Sequence, residues 1–306
     1  MGKYIIRRLL QMIPVIIGVT FIIYVAVFAV GDPTVGRCGE RPCPEGYIAK
    51  FRADYNLDKP LIVQYLLYMG NLVQGDLGTN FFSNKVVDEL AARWPTTLKL
   101  GVMALIIESV IGVSAGVLAG IRRGKFIDSL VTVSTLVLIS VPIFVIGSFA
   151  QLIFGVRLGW FPVTATQGTT YRLIMPAFVL ASASLAYIAR LMRANLSENL
   201  RADYVRTAKA KGLSNARTVG VHTLRNSLIA VVTFIGIDVG TLMGGALVTE
   251  RIFNINGIGN FLYRSITQKD GTSVVATITC LVLIYLLVNL LVDILYGFLD
   301  PRISHD

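Results

Sequence analysis

Three acids interrupt stretches that are otherwise apolar: Glu108, Asp238 and Asp293. A carboxylate is costly in such surroundings, and a chain that keeps one uses it to line a polar path, to relay protons or to bond two helices. Asp293 stands near the end of its stretch, where an ion pair with Arg302 or a lysine is the simpler expectation. Glu108 and Asp238 lie deeper and, with Met243, are the candidates for lining a translocation path. No histidine shares their segments and no series of acids accompanies them, so path lining or an interhelical bond outranks proton pumping.

Covalent and metal chemistry find little to work with. The only histidines are His222 and His305, and there are three cysteines, so no zinc, haem or other metal site is expected. Ser148 in Ile146-Gly147-Ser148-Phe149 lacks the second glycine of a nucleophile elbow and has no histidine in its segment to activate it. Gly120-Ile121-Arg122-Arg123-Gly124-Lys125 misses the spacing of a phosphate-binding loop and is followed by Phe126. If ATP is used, another chain must bind it. Cys38 and Cys43, in Cys38-Gly39-Glu40-Arg41-Pro42-Cys43, are spaced to form a disulfide in an oxidising compartment, with two free thiols or a weak metal site as the alternatives. Cys280 is expected to be a small apolar residue.

The most informative polar stretch runs from Asn195 to Asn226 and is rich in Lys and Arg. Within it, Asp203 to Gly212 has the signals of a short helix, capped at Asp203 and stopped at Gly212, and a second turn starts near Ser214. Such a helix is either a handle that a partner protein grips or a basic loop on anionic lipid headgroups. Position alone leaves these level.

The elements that hold these residues follow from composition. Of 306 residues 54% are hydrophobic and 15% charged, against about 25% charged in soluble domains. A bilayer core of about 30 Å needs roughly 20 apolar residues per helix, and six segments qualify: Leu9–Val30, Leu98–Gly120, Leu130–Phe154, Leu173–Leu191, Ser227–Thr249 and Val274–Phe298. Backbone groups in lipid must bond within their own segment, so the fold class is all-α, a polytopic membrane protein with six transmembrane helices. Ser182 and Ser184 make the fourth segment the weakest, and Pro142 should kink the third. The first segment is too long for a signal peptide and lacks a small-residue cleavage site after it.

Lys3, Arg7, Arg8, Arg122, Arg123, Lys125 and the basic residues between Arg190 and Arg225 fall on one side of the six segments. That asymmetry predicts cytoplasmic N- and C-termini and accounts for a net charge of +10 without nucleic acid. The expected organisation is residues 1–30 as tail and first helix, 31–97 as an extracytoplasmic segment with short amphipathic helices such as Pro60–Leu72, and 98–306 as a five-helix core containing the loop 192–226. Gly112, Gly116 and Gly120, and again Gly236, Gly240, Gly244 and Gly245, form small-residue faces suited to close helix contacts, within the chain or between subunits.

The stretch Asp203-Tyr204-Val205-Arg206-Thr207-Ala208-Lys209-Ala210-Lys211-Gly212-Leu213, followed by Leu224-Arg225-Asn226, resembles the loop of permease subunits in ATP-binding-cassette importers of the dipeptide/oligopeptide group, which also includes nickel permeases. Against the general importer signature only Ala208, Gly212 and Leu224 match; the longer version is the peptide group's own. Arg7-Arg8-Leu9, Gly31-Asp32-Pro33, Asn56-Leu57-Asp58-Lys59-Pro60, Gly75-Asp76-Leu77-Gly78, Trp94-Pro95-Thr96-Thr97-Leu98, Gly257-Ile258-Gly259 and Leu299-Asp300-Pro301-Arg302 extend the resemblance along almost the whole chain, in the pattern of the first of two unlike permeases. The Cys38–Cys43 insertion departs from it. The resemblance implies a type I importer transmembrane domain in the cell membrane, paired with a homologous permease. It also implies an extracytoplasmic binding protein, two ATPase subunits that hold ATP and Mg, and a peptide cargo, with nickel or glutathione as alternatives. Asp203, Tyr204, Arg206, Thr207, Ala208, Lys209, Lys211, Gly212, Leu213, Leu224 and Arg225 would then form the ATPase-coupling loop, its basic residues meeting ATPase acids and Leu213 and Leu224 filling a groove. The chain itself would be no enzyme and bind no cofactor.

Overall fold

Long apolar runs close their own backbone hydrogen bonds, and the chain accordingly folds as helices joined by short turns. The structure, a computed structural model, describes residues 2–28, 44–54 and 58–299. In order these form α1 (Gly2–Phe28), α2 (Glu45–Asp54), α3 (Leu61–Val73), α4 (Val86–Ile121), α5 (Phe126–Ser140) and α6 (Ile143–Ala150). They continue as α7 (Thr170–Asn199), α8 (Asp203–Ala210), α9 (Asn215–Arg217), α10 (Leu224–Ile252), α11 (Ile258–Thr267) and α12 (Gly271–Leu299). Wider π-helical turns extend α6 over Gln151–Arg157 and join α9 to α10 over Thr218–Thr223. Among the described residues no strand is present beyond an isolated bridge between Thr79 and Lys85. The pair Cys38 and Cys43, and Arg302, lie outside the described residues.

Among the described residues five helical spans are long and apolar enough to cross a membrane. The expected sixth is not a kinked helix but a broken one: α5 and the α6 stretch meet at 105°. Pro142 lacks an N–H and pushes Val141 into an extended conformation (φ −98°, ψ 126°), so the α5 ladder ends there and α6 starts afresh after the proline.

The chain forms two compact units, residues 1–97 with 256–306, and residues 98–255, the division falling within α4. In the first, α1 packs on α12 and α3 around Tyr24, Tyr65 and Val275. Thr20 and Tyr65 share a hydrogen bond of 2.8 Å, and the Tyr68 hydroxyl donates to Thr279 Oγ1 at 2.8 Å. Asp270, just ahead of α12, accepts from the Ser273 hydroxyl and from the Phe81 backbone N–H, at 2.7 and 2.8 Å, holding the 79–85 turn against that helix start. Asp293 pairs with Arg8 at 3.2 Å, across α1 and α12. The two helix ends lie side by side there and bring the charges together.

In the second unit α7 is the most buried span, although its serines made it the weakest by hydropathy. Gly112, Gly116 and Gly120 of α4 rest on Ile188, Met192 and Leu196 of α7, so this glycine face is packing within the chain. A Cβ at Gly116 would come within 2.6 Å of the Ala189 carbonyl oxygen, whereas one at Gly244 would meet nothing within 4 Å. Asp128, 4% exposed, accepts from Gly124 N–H at 2.8 Å and pairs with Arg193, whose Nη2 donates to Oδ2 at 2.9 Å; this ties the α4–α5 turn to α7. The contrast between the glycines sets a test. Gly116→Ala should lower stability by about 1–3 kcal/mol through overpacking, while Gly244→Ala should leave it unchanged or raise it by up to about 1 kcal/mol. Thermal unfolding of the two purified variants in detergent reads the difference, and equal melting temperatures would refute the close α4–α7 approach.

Candidate functional site

The polar loop between α7 and α10 is built from the inside out. Val205 and Ala208 of α8 are 1% and 8% exposed and turn the helix inward, while Asp203, Tyr204, Arg206, Thr207, Lys209, Lys211 and Gly212 stay exposed. The helix begins at Asp203 with Ala202 in the capping position, so Asp203 is a first-turn acid rather than the expected cap. Its carboxylate lies 3.6 Å from Arg206, both side chains facing solvent. At the other end Gly212 takes φ +78°, a left-handed conformation that L side chains resist, and its N–H donates to Lys209 O at 2.9 Å while Leu213 N–H donates to Ala208 O at 3.2 Å. Ser214 caps the next turn, its hydroxyl accepting from Arg217 N–H at 3.3 Å.

Side chains outside the expected set tie this loop to the long helices. The Tyr204 hydroxyl donates to Asn199 Oδ1 at 3.2 Å, Asn199 Nδ2 donates to Ser227 Oγ at 3.0 Å, and the Ser227 hydroxyl donates to Thr223 O at 2.8 Å. One continuous polar chain therefore joins α8 to the end of α7 and the start of α10. Asn199 and Ser227 were missed from sequence because an Asn at a helix end and a Ser one turn after Thr223 are ordinary signals by themselves. Leu224 is half-buried and packs against the cluster of Leu196 and Val231 in this chain's own core. Leu213 is half-buried and Arg225 exposed.

Of the path candidates, Glu108 of α4 and Asp238 of α10 are buried, at 0% and 4% exposure. Met243 sits over Gly101, its Cε 2.7 Å from where a Cβ would lie. Met243 and Gly101 thus mark a contact between α4 and α10, the two helices that carry all three path candidates.

Comparison with known families agrees with this arrangement of long apolar helices around a short polar loop. The family model for the binding-protein-dependent transport system inner membrane component matches residues 112–305, and the model for the N-terminal part of such membrane components matches residues 1–101. The chain belongs to this family. As an inner membrane component it is a multi-pass membrane protein with the type I importer permease fold. It is 40% identical to a di/tripeptide transport system permease protein of Pseudomonas aeruginosa, over 100% of this chain and 99% of that one. It is 36% identical to a glutathione transport system permease protein of Shigella flexneri and 35% identical to an oligopeptide transport system permease protein of Bacillus subtilis, each over 100% of both chains.

For this inner membrane component the polar chain makes a local prediction. Asn199→Ala removes the bonds to both Tyr204 and Ser227, each worth about 1 kcal/mol. Amide hydrogen exchange across α8 should quicken by about tenfold while the cores of α7 and α10 keep their protection. Unchanged exchange in α8 would show that the helix is held by Val205 and Ala208 alone.

Proposed function

We propose that this chain is one of two membrane-spanning subunits of an ATP-driven importer of short peptides, with both termini in the cytoplasm. A homologous permease completes the pathway, an extracytoplasmic binding protein delivers the cargo, and separate ATPase subunits hold ATP and Mg. Three full-length relatives carrying di/tripeptide, oligopeptide and glutathione permease names support the cargo class. The cluster of Lys and Arg on one side of the spans supports the orientation. No phosphate-binding loop occurs in the sequence, which supports separate ATPases.

The observation that carries the mechanism is α8: a basic, solvent-facing helix bonded through Tyr204 and Asn199 to the ends of two long helices. Asp203, Tyr204, Arg206, Thr207, Lys209, Lys211, Gly212 and Arg225 form the surface offered to an ATPase. Ala208, with Val205, and Leu224 anchor it, and Leu213 borders it. Driving a bundle from 1:99 to 99:1 between inward-open and outward-open states takes about 5.5 kcal/mol of differential binding. A lever transmits that only if it moves with the helices it drives. Glu108 of α4 and Asp238 and Met243 of α10 are the residues we assign to the changing interior of the pathway.

The test is ATP-dependent uptake of labelled di- and oligopeptides into proteoliposomes containing this chain, its partner permease, the ATPases and the binding protein. Gly212→Pro removes the N–H that bonds Lys209 O and forbids the positive φ. It should cut uptake at least about tenfold while insertion and the amount of membrane-bound chain stay normal. Undiminished uptake in Gly212→Pro would falsify the coupling role. Rapid ATP turnover without uptake of any linear peptide would keep the architecture and direct the assay to glutathione, the cargo named for a relative that matches the full chain.

A further inference from the structure

Gly75-Asp76-Leu77-Gly78 follows α3 and has no part in the coupling loop, yet it helps to enclose a cavity of about 370 Å³. Gly75 and Gly78 both take positive φ, +80° and +79°, which folds the chain back after α3. A Cβ at Gly78 would lie 2.9 Å from Thr272 Cγ2, so the turn rests directly on the start of α12. Asp76 is pinned within it: its N–H donates to Asn71 O at 2.9 Å, and its Oδ1 accepts from Gly78 N–H at 2.9 Å. A carboxylate has acceptor capacity well beyond that one bond.

The other walls come from three helices of the same compact unit. Gln64, Tyr68 and Asn71 recur at helical spacing along one face of α3, and Tyr24 and Phe28 stand one turn apart at the end of α1. The rings gather closely. The Tyr24 centroid is 4.6 Å from that of Phe28 and 5.4 Å from that of Tyr68. Polar ends among the lining are tied down, the Tyr68 hydroxyl on Thr279 Oγ1 and Gln64 Nε2 on Lys59 O, both at 2.8 Å, so the cavity is preformed. Among the residues that line it, Asp76 alone carries a charge.

The volume is that of a small-molecule site, and the lining states what fits. Aromatic rings attract cations electrostatically, more strongly where water is excluded, and a carboxylate adds the opposite charge. An anion would be repelled by Asp76, and a hydrocarbon would strip the carboxylate of water and give nothing in return. We propose that this cavity binds a small organic ammonium group, held between the Tyr24, Phe28 and Tyr68 rings and the Asp76 carboxylate. It lies where the α1 span, Ile5–Phe28, ends and the α12 span, Gly271–Ile294, begins, which is the level of lipid headgroups. Two sources supply an ammonium there: the ethanolamine headgroup of a membrane lipid, or a free amine such as the amino terminus of a short peptide.

Thermal unfolding of the full chain in phosphatidylglycerol nanodiscs tests this without ATPase or binding protein, so the result stands apart from the importer reading. Choline should raise the melting temperature, whereas the uncharged alcohol in which carbon replaces its nitrogen should not. Asp76→Asn keeps the acceptor for Gly78 N–H and should melt near wild type without ligand, but should bind choline about tenfold more weakly. Saturating the aromatic ring protons should pass magnetisation to the choline methyl protons on wild type. Equal stabilisation by the alcohol, no transfer from the rings, or unchanged choline binding in Asp76→Asn overturns the proposal. Two further arms read the source. Phosphatidylethanolamine that stabilises wild type more than Asp76→Asn and abolishes the choline response identifies the lipid. Alanylalanine that displaces choline where its N-acetyl form does not identifies a free amine. Failure of both arms would make choline an artificial ligand and also overturn the proposal.

Discussion

Hydrocarbon offers no partner to an N–H or a C=O, and every other feature of this protein is arranged around that fact. Most of the chain meets it by running as uninterrupted helix. The instructive places are those where the ladder fails. At Val141 and Pro142 the α5 helix ends, and the Ser140 hydroxyl folds back onto Leu136 O at 2.8 Å. Ten residues on, Gln151 Nε2 donates to Val163 O and Ile252 O at 2.9 and 3.0 Å. One amide thus serves carbonyls from a loop and from the end of α10. Ala165 N–H completes the repair by donating to Phe253 O at 2.9 Å.

Once the backbone is satisfied, helix association in lipid gains little from burying apolar area, since the lipid tails are equally apolar. Close fit and polar bonds decide it instead. Glycines on α4 let its backbone approach α7, and the Ser182 hydroxyl is consumed internally on Val179 O at 2.7 Å. The Asp128–Arg193 pair adds a charged tie where the α4–α5 turn leaves the apolar zone. Such pairs are strongly destabilising to break because each partner is left uncompensated, by about 3–5 kcal/mol when fully buried. The 31% exposure of Arg193 reduces the penalty here.

Much of this was legible in the sequence. Apolar runs of sufficient length gave the spans, since composition alone reports on solvent. Gly212 and Ser214 gave the loop's stop and cap, because those residue types have one favoured local geometry. What failed did so for a common reason: sequence carries local preference but not neighbours. The weak hydropathy of α7 reflects a helix surrounded by protein, which needs small and polar residues more than lipid-facing bulk. The kink expected at Pro142 became a 105° break because Val141 turned extended and α6 began afresh after the proline. Arg8 as the partner of Asp293, Asn199 as the link to Ser227, and Met243 over Gly101 all join residues distant in sequence, and no pattern within one segment announces them.

The α8 loop shows how the same chain separates holding from offering. Its inward residues are small or β-branched and tightly buried, and its bonds to α7 and α10 run through short side chains with few rotatable bonds. Its charges are left almost wholly unused by the fold: Asp203 and Arg206, at 96% and 79% side-chain exposure, gain little from one another in water. A basic loop needed only to meet lipid headgroups could be floppy and would require neither the Tyr204–Asn199–Ser227 connection nor a glycine held at positive φ. Rigid attachment beneath an unused charged surface is what the proposed lever would require, because force applied to the exposed face would then reach α7 and α10 together rather than being lost in bending the loop.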